Sequence, residues 1–318
     1  MSTVAPPTPT PTPEADDQLA VLSILDSSLA RTRRIKDRLA TVAMWLALLV
    51  AVLPLVYLLV VVVQKGQGVI RPDWFTHDIP ADVASNALAT KFGATPEPVV
   101  YGMLPAIVGT LLITGLAALI SIPIGILGAI YLNEYGKRRR LASALRFLTD
   151  VMTGVPSVVM GIFVYTVFVL HFHERTTFAG SLALACLMLP IVVRSTEEML
   201  KLVPDSLREA SAALGTRTWR TTLGVVLPAA LPGVTSGCML AVARAAGETA
   251  PLLFTIGSIT TLNLSLRGQN TALSTQIFSN ATQPGGEPLA WGAALTLIVI
   301  VLVLTMLARA VTRRLTLR

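Results

Sequence analysis

Six long apolar runs interrupt this sequence, and each is long enough to cross a bilayer as a helix. They lie at about 41–63, 104–132, 150–170, 179–196, 229–252 and 289–308. A helix needs about 20 predominantly apolar residues to cross the hydrocarbon core of a membrane. Only 14% of the residues are charged, against about 25% in soluble domains. The sequence therefore predicts an all-α integral membrane protein with six transmembrane helices.

A further segment without charged residues, Thr249–Leu266, is ambiguous. Its threonine, serine, asparagine and glycine content makes it a poor spanning helix. We assign it to the end of the fifth span and to an outer loop that continues to Pro288.

The basic residues lie mostly on one side of the six spans. Nineteen lysines and arginines fall in both terminal tails and in the segments that follow spans two and four, and five fall on the opposite side. Because cytosolic loops retain Lys and Arg, both termini are predicted to be cytosolic. The net charge of +7 does not indicate nucleic-acid binding, since these cations cluster beside apolar runs. Cys186 and Cys238 lie in apolar runs and are predicted to be core residues.

Small residues and prolines at three places predict the packing of the spans. Gly233 and Gly237 have the spacing that permits close approach of two membrane helices. Pro156 and Pro190 lie within the third and fourth spans, where they either kink a helix or shape its packing.

A polar segment between the fourth and fifth spans, "EASAALGTRTWRTTLGVVLPAALPG" from Glu209 to Gly233, lies on the predicted cytosolic side. Ser206 and Glu209 fit a capping box, and Gly215 is placed to end the helix in a left-handed turn. This predicts a helix over about 207–214, which is too short to be stable alone. It needs either the bilayer surface or a groove in a partner protein, and its run of small residues favours the protein.

The same segment resembles the EAA loop of ABC importer permeases. The matching positions are Glu209, Ala210, Ser211 in place of a second alanine, Gly215, Leu227 and Pro228. Two longer stretches, "LPIVVRSTEEMLKLVPDSLREASAALG" and "ARAAGETAPLLFTIG", are similar to phosphate-specific permeases of the PstA type. The resemblance covers about residues 100–310.

The resemblance implies an ABC importer type I permease fold and a role in inorganic phosphate import. It implies that Glu209, Ala210, Ser211 and Gly215 belong to a coupling helix that sits in a groove of a cytosolic ATPase. The implied partners are a second homologous permease subunit, two ATPase subunits, an external phosphate-binding protein and membrane lipids, with no nucleic acid.

We expect four regions along the chain. Residues 1–38 are a Pro/Thr-rich, disordered cytosolic tail, and residues 39–99 are a first transmembrane helix with its external loop. Residues 100–310 are a five-helix ABC transmembrane domain, and residues 311–318 are a basic cytosolic tail. Within the first tail, Gln18–Arg38 could form a short amphipathic helix.

No nucleotide site is visible in the sequence. A Walker A loop requires G-x-x-x-x-G-K-[ST], and the only Gly-Lys pair, Gly136-Lys137, is followed by Arg138. We therefore expect a transporter subunit that is not an enzyme and has no catalytic residues, metal or cofactor of its own. ATP and Mg²⁺ would bind to the partner ATPase.

Three ionisable residues within spans are candidates for the substrate pathway: Arg194, Arg244 and Glu248. Charged residues in membrane segments are costly and usually functional, and the planar guanidinium of arginine suits phosphate. Arg244 and Glu248, four residues apart, could instead form an internal ion pair on one helix face. Arg194 could instead extend to the inner interface.

Three other functions fit parts of the sequence. The first is an ABC permease for another oxyanion such as sulfate or molybdate. The second, an ATP-independent carrier or channel, leaves the short cytosolic helix unexplained. The third is a membrane scaffold or sensor that binds a signalling protein at its cytosolic loops.

Overall fold

The computed structural model describes residues 13–81, 83–92, 99–136 and 139–316, and in these residues it is helical with no strand. The helices of six or more residues, in chain order, are α1 (Pro13–Gly66), α2 (Val83–Lys91), α3 (Leu104–Ile130), α4 (Arg140–Gly154), α5 (Ser157–Val164), α6 (Thr177–Lys201), α7 (Asp205–Ala213), α8 (Leu227–Ala246), α9 (Ala250–Thr255), α10 (Leu273–Thr282) and α11 (Glu287–Thr316). Three π-helical turns extend the long helices, at Tyr131–Tyr135, Tyr165–Val169 and Thr222–Val226.

The chain forms two compact units, Met1–Val61 and Val62–Arg318. The first unit consists mainly of α1, whose apolar side chains are exposed from Ile35 to Val60; Trp45 is 67% exposed and Tyr57 is 69% exposed. Residues 13–38 of the tail that was predicted to be disordered lie in α1. The reason is that Glu14–Arg38 has neither proline nor glycine and is rich in good helix formers. The predicted short helix Gln18–Arg38 is part of this longer helix, and residues 1–12 lie outside the described residues.

Five helical segments of the described residues are long and apolar enough to cross a membrane: Ile35–Gly66, Leu104–Tyr135, Thr177–Lys201, Thr218–Ala246 and Glu287–Ala310. A sixth span exists if the bent pair Arg140–Gly154 and Ser157–Phe172 is counted as one. The prediction of six apolar segments agrees with this count.

The third predicted span, 150–170, is not one continuous helix. Its two parts meet at an angle of 106°, and Val155 between them is extended, with φ −74° and ψ 130°. Pro156 explains the break, because proline disfavours the helical conformation of the preceding residue and has no N–H to donate. Pro190, in contrast, lies inside the continuous helix α6.

The central helix of the second unit is α6. In its most apolar window 61% of the residues are buried, against 33% or fewer in the windows of the other four spans. Gly233 and Gly237 lie where α8 packs on α6, and a Cβ at these positions would collide with the side chains of Met199 and Ser195. The predicted close approach at this glycine pair is therefore present in the structure.

Two segments predicted as outer loops contain secondary structure. The segment 64–103 includes α2 and a 3₁₀ turn at Pro72–Phe75, whose Trp74 is fully buried and donates to Thr296 Oγ1 at 2.9 Å. The segment 258–288 includes α10, which the prediction missed because its polar side chains do not resemble a core helix.

The rest of this second segment packs on the beginning of α6. The backbone N–H groups of Thr177 and Phe178 donate to the carbonyls of Gly268 and Leu266 at 2.9 and 3.0 Å. The buried Asn270 donates to Thr177 Oγ1 at 3.1 Å. The beginning of α6 is thereby joined to the segment that precedes α10.

Candidate functional site

The short cytosolic helix predicted at 207–214 is α7, which runs from Asp205 to Ala213. The predicted capping box is wrong, because Pro204 holds the N-cap position and no side chain caps the helix. The φ of −59° at Pro204 starts the helix before Ser206, so Ser206 lies inside it. Asp205 is then in the first turn, where a carboxylate stabilises a helix through its dipole.

A Schellman motif ends α7. Gly215 has φ 73°, and its N–H donates to Ala212 O at 2.9 Å, while the N–H of Thr216 donates to Ser211 O at 3.3 Å. This is the left-handed glycine end predicted from the sequence. A Cβ at Gly215 would meet no atom within 4 Å, so the requirement for glycine comes from the backbone angle alone.

Three hydroxyl groups hold the turn that follows α7. The Oγ of Ser211 lies 2.6 Å from Thr216 Oγ1 and 2.9 Å from Thr221 Oγ1, and the two threonine oxygens are 3.0 Å apart. Ser211 is 8% exposed. The hydroxyl that replaces the second alanine of the EAA pattern therefore binds the turn to the start of the next span.

The opposite surface of α7 carries few internal contacts. Glu209, Ala210, Ala212 and Ala213 are exposed, and the Glu209 carboxylate has no hydrogen bond or ion pair to any residue that the structure describes. At the C-cap, Leu214 is 83% exposed. This surface of small residues, with an acidic and an apolar side chain, is available to a partner.

Arg208, on the buried side of α7, was not singled out from the sequence. Its guanidinium donates to Glu134 at 3.1 Å, Asp205 at 3.0 Å and the backbone carbonyls of Leu200 and Val203 at 2.8 and 2.7 Å. Arg208 and Glu134 are only 16% and 7% exposed. The sequence feature that could have pointed to Arg208 is its charge beside the EAA pattern. Nothing in the sequence identified Glu134 as its partner.

A second ion-pair network lies beside the first and was also missed. Glu197, 2% exposed, accepts from Arg146 at 3.0 Å and from Lys201 at 2.8 Å. Arg146 also donates to Leu132 O at 2.8 Å. This network binds α4 to α6 and to the end of α3. A cavity of about 270 Å³, lined by residues that include Asn133 and Arg208, separates the two networks.

Arg194, predicted for the substrate pathway, is engaged by two carboxylates. Its guanidinium lies 3.2 Å from Asp150 and 3.3 Å from Glu198, although its side chain is 54% exposed. The arginine thus links α4 to α6 with its charge compensated on both sides.

Arg244 and Glu248 form a looser pair. Their closest atoms are 3.6 Å apart, with the arginine 68% and the glutamate 20% exposed. The internal ion pair considered as an alternative is present, but its two residues do not belong to one helix, because α8 ends at Ala246 and Glu248 follows it. Among the described residues, the guanidinium of Arg244 donates no side-chain hydrogen bond, and its ion pair with Glu248 is its one charge contact.

Arg194 and Arg244 bind different acidic residues and share no ion-pair network in the described part of the chain. The assignment of these residues and Glu248 to a substrate pathway stays a prediction, as does the assignment of α7 to ATPase coupling.

Comparison with known proteins identifies the family of the chain. Residues 121–317 match the family model described as "Binding-protein-dependent transport system inner membrane component". The chain is 41% identical over 300 residues to the phosphate transport system permease protein PstA 1 of Mycobacterium tuberculosis (strain ATCC 25618 / H37Rv), covering 93% of each chain. It is also 41% identical over 281 residues to PstA of Yersinia pestis, covering 88% of this chain and 90% of the relative. The chain belongs to the PstA branch of this permease family.

Solved structures agree on the fold. The MetNI methionine ABC transporter, solved in inward-facing conformations, matches with a TM-score of 0.53 and 17% identity, covering 66% of this chain and 94% of the other. A bacterial ABC transporter involved in the import of alginate matches with a TM-score of 0.55 and 16% identity, covering 86% and 96%. The predicted class, an all-α permease of the inner membrane with several spans, is confirmed.

Proposed function

We propose that this chain is the permease subunit of an ATP-driven importer of inorganic phosphate. The observation that carries the proposal is its 41% identity to a phosphate transport permease over 93% of both chains. Membership of the binding-protein-dependent transport family supports a permease over an ATP-independent carrier or channel and over a membrane scaffold or sensor.

Arg244 is the residue we assign to phosphate in the pathway. Its guanidinium is 68% exposed and its one acidic neighbour, Glu248, stands 3.6 Å away, so an anion can replace that neighbour without breaking a short hydrogen bond. Arginine presents parallel N–H donors that match two phosphate oxygens. Glu248 balances the charge of Arg244 when no anion is bound.

Arg194 has a different role in this proposal. Because Asp150 and Glu198 already compensate its charge at 3.2 and 3.3 Å, binding of phosphate there would require the loss of two ion pairs. We assign Arg194 to the wall of the pathway near the cytosolic side, where it orients α4 against α6.

The exposed surface of α7 is the part that we assign to the ATPase. Glu209 and Ala210 are exposed on the surface of α7 and would contact a groove of the ATPase. Ser211 and Gly215 fix the shape of the turn that presents them. Movement of the ATPases on ATP binding would then displace α7 and change which side of the membrane the pathway faces.

The full assembly that we propose has a second homologous permease subunit, two cytosolic ATPases and an external phosphate-binding protein. ATP and Mg²⁺ bind to the ATPases, and this chain holds no cofactor. Both termini of the chain are cytosolic in this arrangement, and the apolar outer surfaces of the spans contact lipid or the second permease.

Uptake by the purified assembly in proteoliposomes tests the substrate. Labelled phosphate, sulfate and molybdate are offered separately, each with a binding protein specific for that anion, with ATP on the ATPase side. We expect phosphate alone to accumulate. Accumulation of sulfate or molybdate at the rate of phosphate would contradict the proposal and favour a permease for another oxyanion.

A further inference from the structure

Arg208 connects the coupling helix to two spanning helices at once. Its Nη1 donates to Val203 O at 2.7 Å and its Nη2 to Leu200 O at 2.8 Å. These carbonyls belong to the end of α6 and to the turn that leads into α7. The same guanidinium holds Glu134 with two contacts of 3.1 and 3.3 Å. One side chain therefore binds α7, the end of α6 and the turn after α3.

The buried position of Glu134 makes the loss of its ion pair with Arg208 unfavourable. It lies in the π-helical turn that continues α3, is 7% exposed, and also accepts from Asn133 Nδ2 at 2.8 Å. A buried carboxylate that loses its cation is strongly unfavourable, because neither water nor another charge replaces the lost partner. If α7 moved away from the end of α3, Glu134 would be left in that state.

We propose that Arg208 is a positioning residue that makes α7, the end of α6 and the end of α3 move as one rigid body. The proposal rests on the proposed function, in which α7 receives the movement of the ATPase. Without the Arg208 contacts, α7 could follow the ATPase while the spanning helices stayed behind, and ATP would be hydrolysed without transport.

The neighbouring network offers a matched comparison. Arg146 resembles Arg208 in being partly buried, in pairing with a buried glutamate and in donating to a helix-end carbonyl. It joins α4, α6 and the end of α3, but in the described part of the chain no hydrogen bond or ion pair links it to α7. Loss of Arg146 therefore perturbs the same region without detaching the coupling helix.

A distance measurement tests the rigid body directly. Spin labels are placed at Leu214, 83% exposed, and Tyr135, 43% exposed, after Cys186 and Cys238 are replaced by alanine. In the assembled transporter we expect the same narrow distance distribution without nucleotide and with ATP trapped. Arg208→Met should broaden it. A distance that changes between the two states of the unmutated protein would overturn the proposal.

The number of phosphate ions transported per ATP distinguishes a positioning role of Arg208 from a role in stability alone. We expect Arg208→Met to lower the number of phosphate ions transported per ATP by about 2- to 30-fold, with ATPase subunits still bound. Arg146→Met should lower thermal stability but leave that ratio unchanged. An equal fall of the ratio in both variants would show that Arg208 only stabilises the fold.

Glu134→Gln provides a second route if Arg208→Met fails to assemble. It keeps the shape of the side chain and removes the charge, so we expect a smaller fall of the ratio and a broadened label distance. An unchanged ratio together with an unchanged distance would contradict the proposal. The distance between the spin labels does not depend on which anion is transported. The rigid-body proposal can therefore be tested even if the assignment of phosphate as the substrate is wrong.

Discussion

A single backbone angle at Gly215 determines where the coupling helix ends. Its φ is 73° and the space around its α-carbon is open, so a side chain is disfavoured by conformation and not by collision. We predict that Gly215→Val costs about 1–3 kcal/mol locally and weakens the association with the ATPase. Gly215→Asn should retain it, because asparagine tolerates the left-handed region.

Co-purification of ATPase subunits and phosphate uptake measure this effect. Gly224→Val is the matched control, since a Cβ at Gly224 also meets open space but Gly224 does not have a positive φ. Normal association and transport by Gly215→Val would refute the assignment of α7 to coupling.

At the scale of one residue, the proposal that phosphate is the substrate depends on Arg244. We predict that Arg244→Gln lowers phosphate uptake by about 10- to 100-fold, since a hydrogen bond to a charged group contributes about 1.5–3 kcal/mol. Arg244→Lys should be partly active because it replaces a planar pair of donors with a point charge. Assembly and basal ATP hydrolysis should persist in both variants.

Initial uptake rates in proteoliposomes distinguish the outcomes. Arg267→Gln, a substitution of an exposed cation in the predicted outer loop, serves as the control and should transport normally. If Arg244→Gln also transports normally, Arg194 becomes the remaining candidate for the pathway.

At the scale of elements, the packing of α8 on α6 depends on two glycines. We predict that Gly237→Ala destabilises the protein by about 1–3 kcal/mol, because its Cβ would collide with the Cβ and Oγ of Ser195. Adding Ser195→Gly should recover part of the loss by removing those atoms. Thermal unfolding of the purified protein measures both.

Gly115→Ala in α3 is the control for helix propensity. A Cβ there meets no atom within 4 Å, so the change should be neutral or stabilising by up to about 1 kcal/mol. If the double variant Gly237→Ala with Ser195→Gly loses the sum of the two single effects, the close contact of α8 and α6 is not what Gly237 provides.

Local sequence patterns predicted some features of these elements and missed others. The apolar runs located the spans, and Gly215 located the end of α7, because both depend on local properties of the chain. The 106° bend at Pro156 was foreseen only as a possible kink, since proline alone does not determine whether a helix bends or breaks. Helix α10 was missed because its buried Ser274, Thr275 and Gln276 are polar and do not form an apolar helix face. The partner of Ser274, the carbonyl of Glu248, lies 26 positions away in the sequence.

The candidate site was predictable to a similar extent. Glu209 and Gly215 follow from a pattern of fixed spacing. The pairing of Arg208 with Glu134 joins residues 74 positions apart, and no local rule connects them. The contrast between Arg194, which pairs with two carboxylates, and Arg244, which pairs with one, also needed the structure.

At the scale of the whole molecule, the distribution of basic residues predicts the topology. Single cysteines are introduced at Leu264, 64% exposed, and at Trp219, 49% exposed, in a chain without Cys186 and Cys238. We predict that a membrane-impermeant reagent added to intact cells labels position 264 and not position 219. A tag at the C-terminus should be inaccessible from outside. Labelling at position 219 or detection of the tag from outside would contradict the proposed orientation.

The central claim is that movement of phosphate through this permease is driven by ATP bound elsewhere in the assembly. The most direct test is the accumulation of labelled phosphate in proteoliposomes that contain the two permeases, the ATPases and the binding protein. We predict accumulation above the external concentration with ATP and none with a non-hydrolysable analogue. Equal phosphate uptake with and without ATP would contradict the account and indicate a carrier or channel.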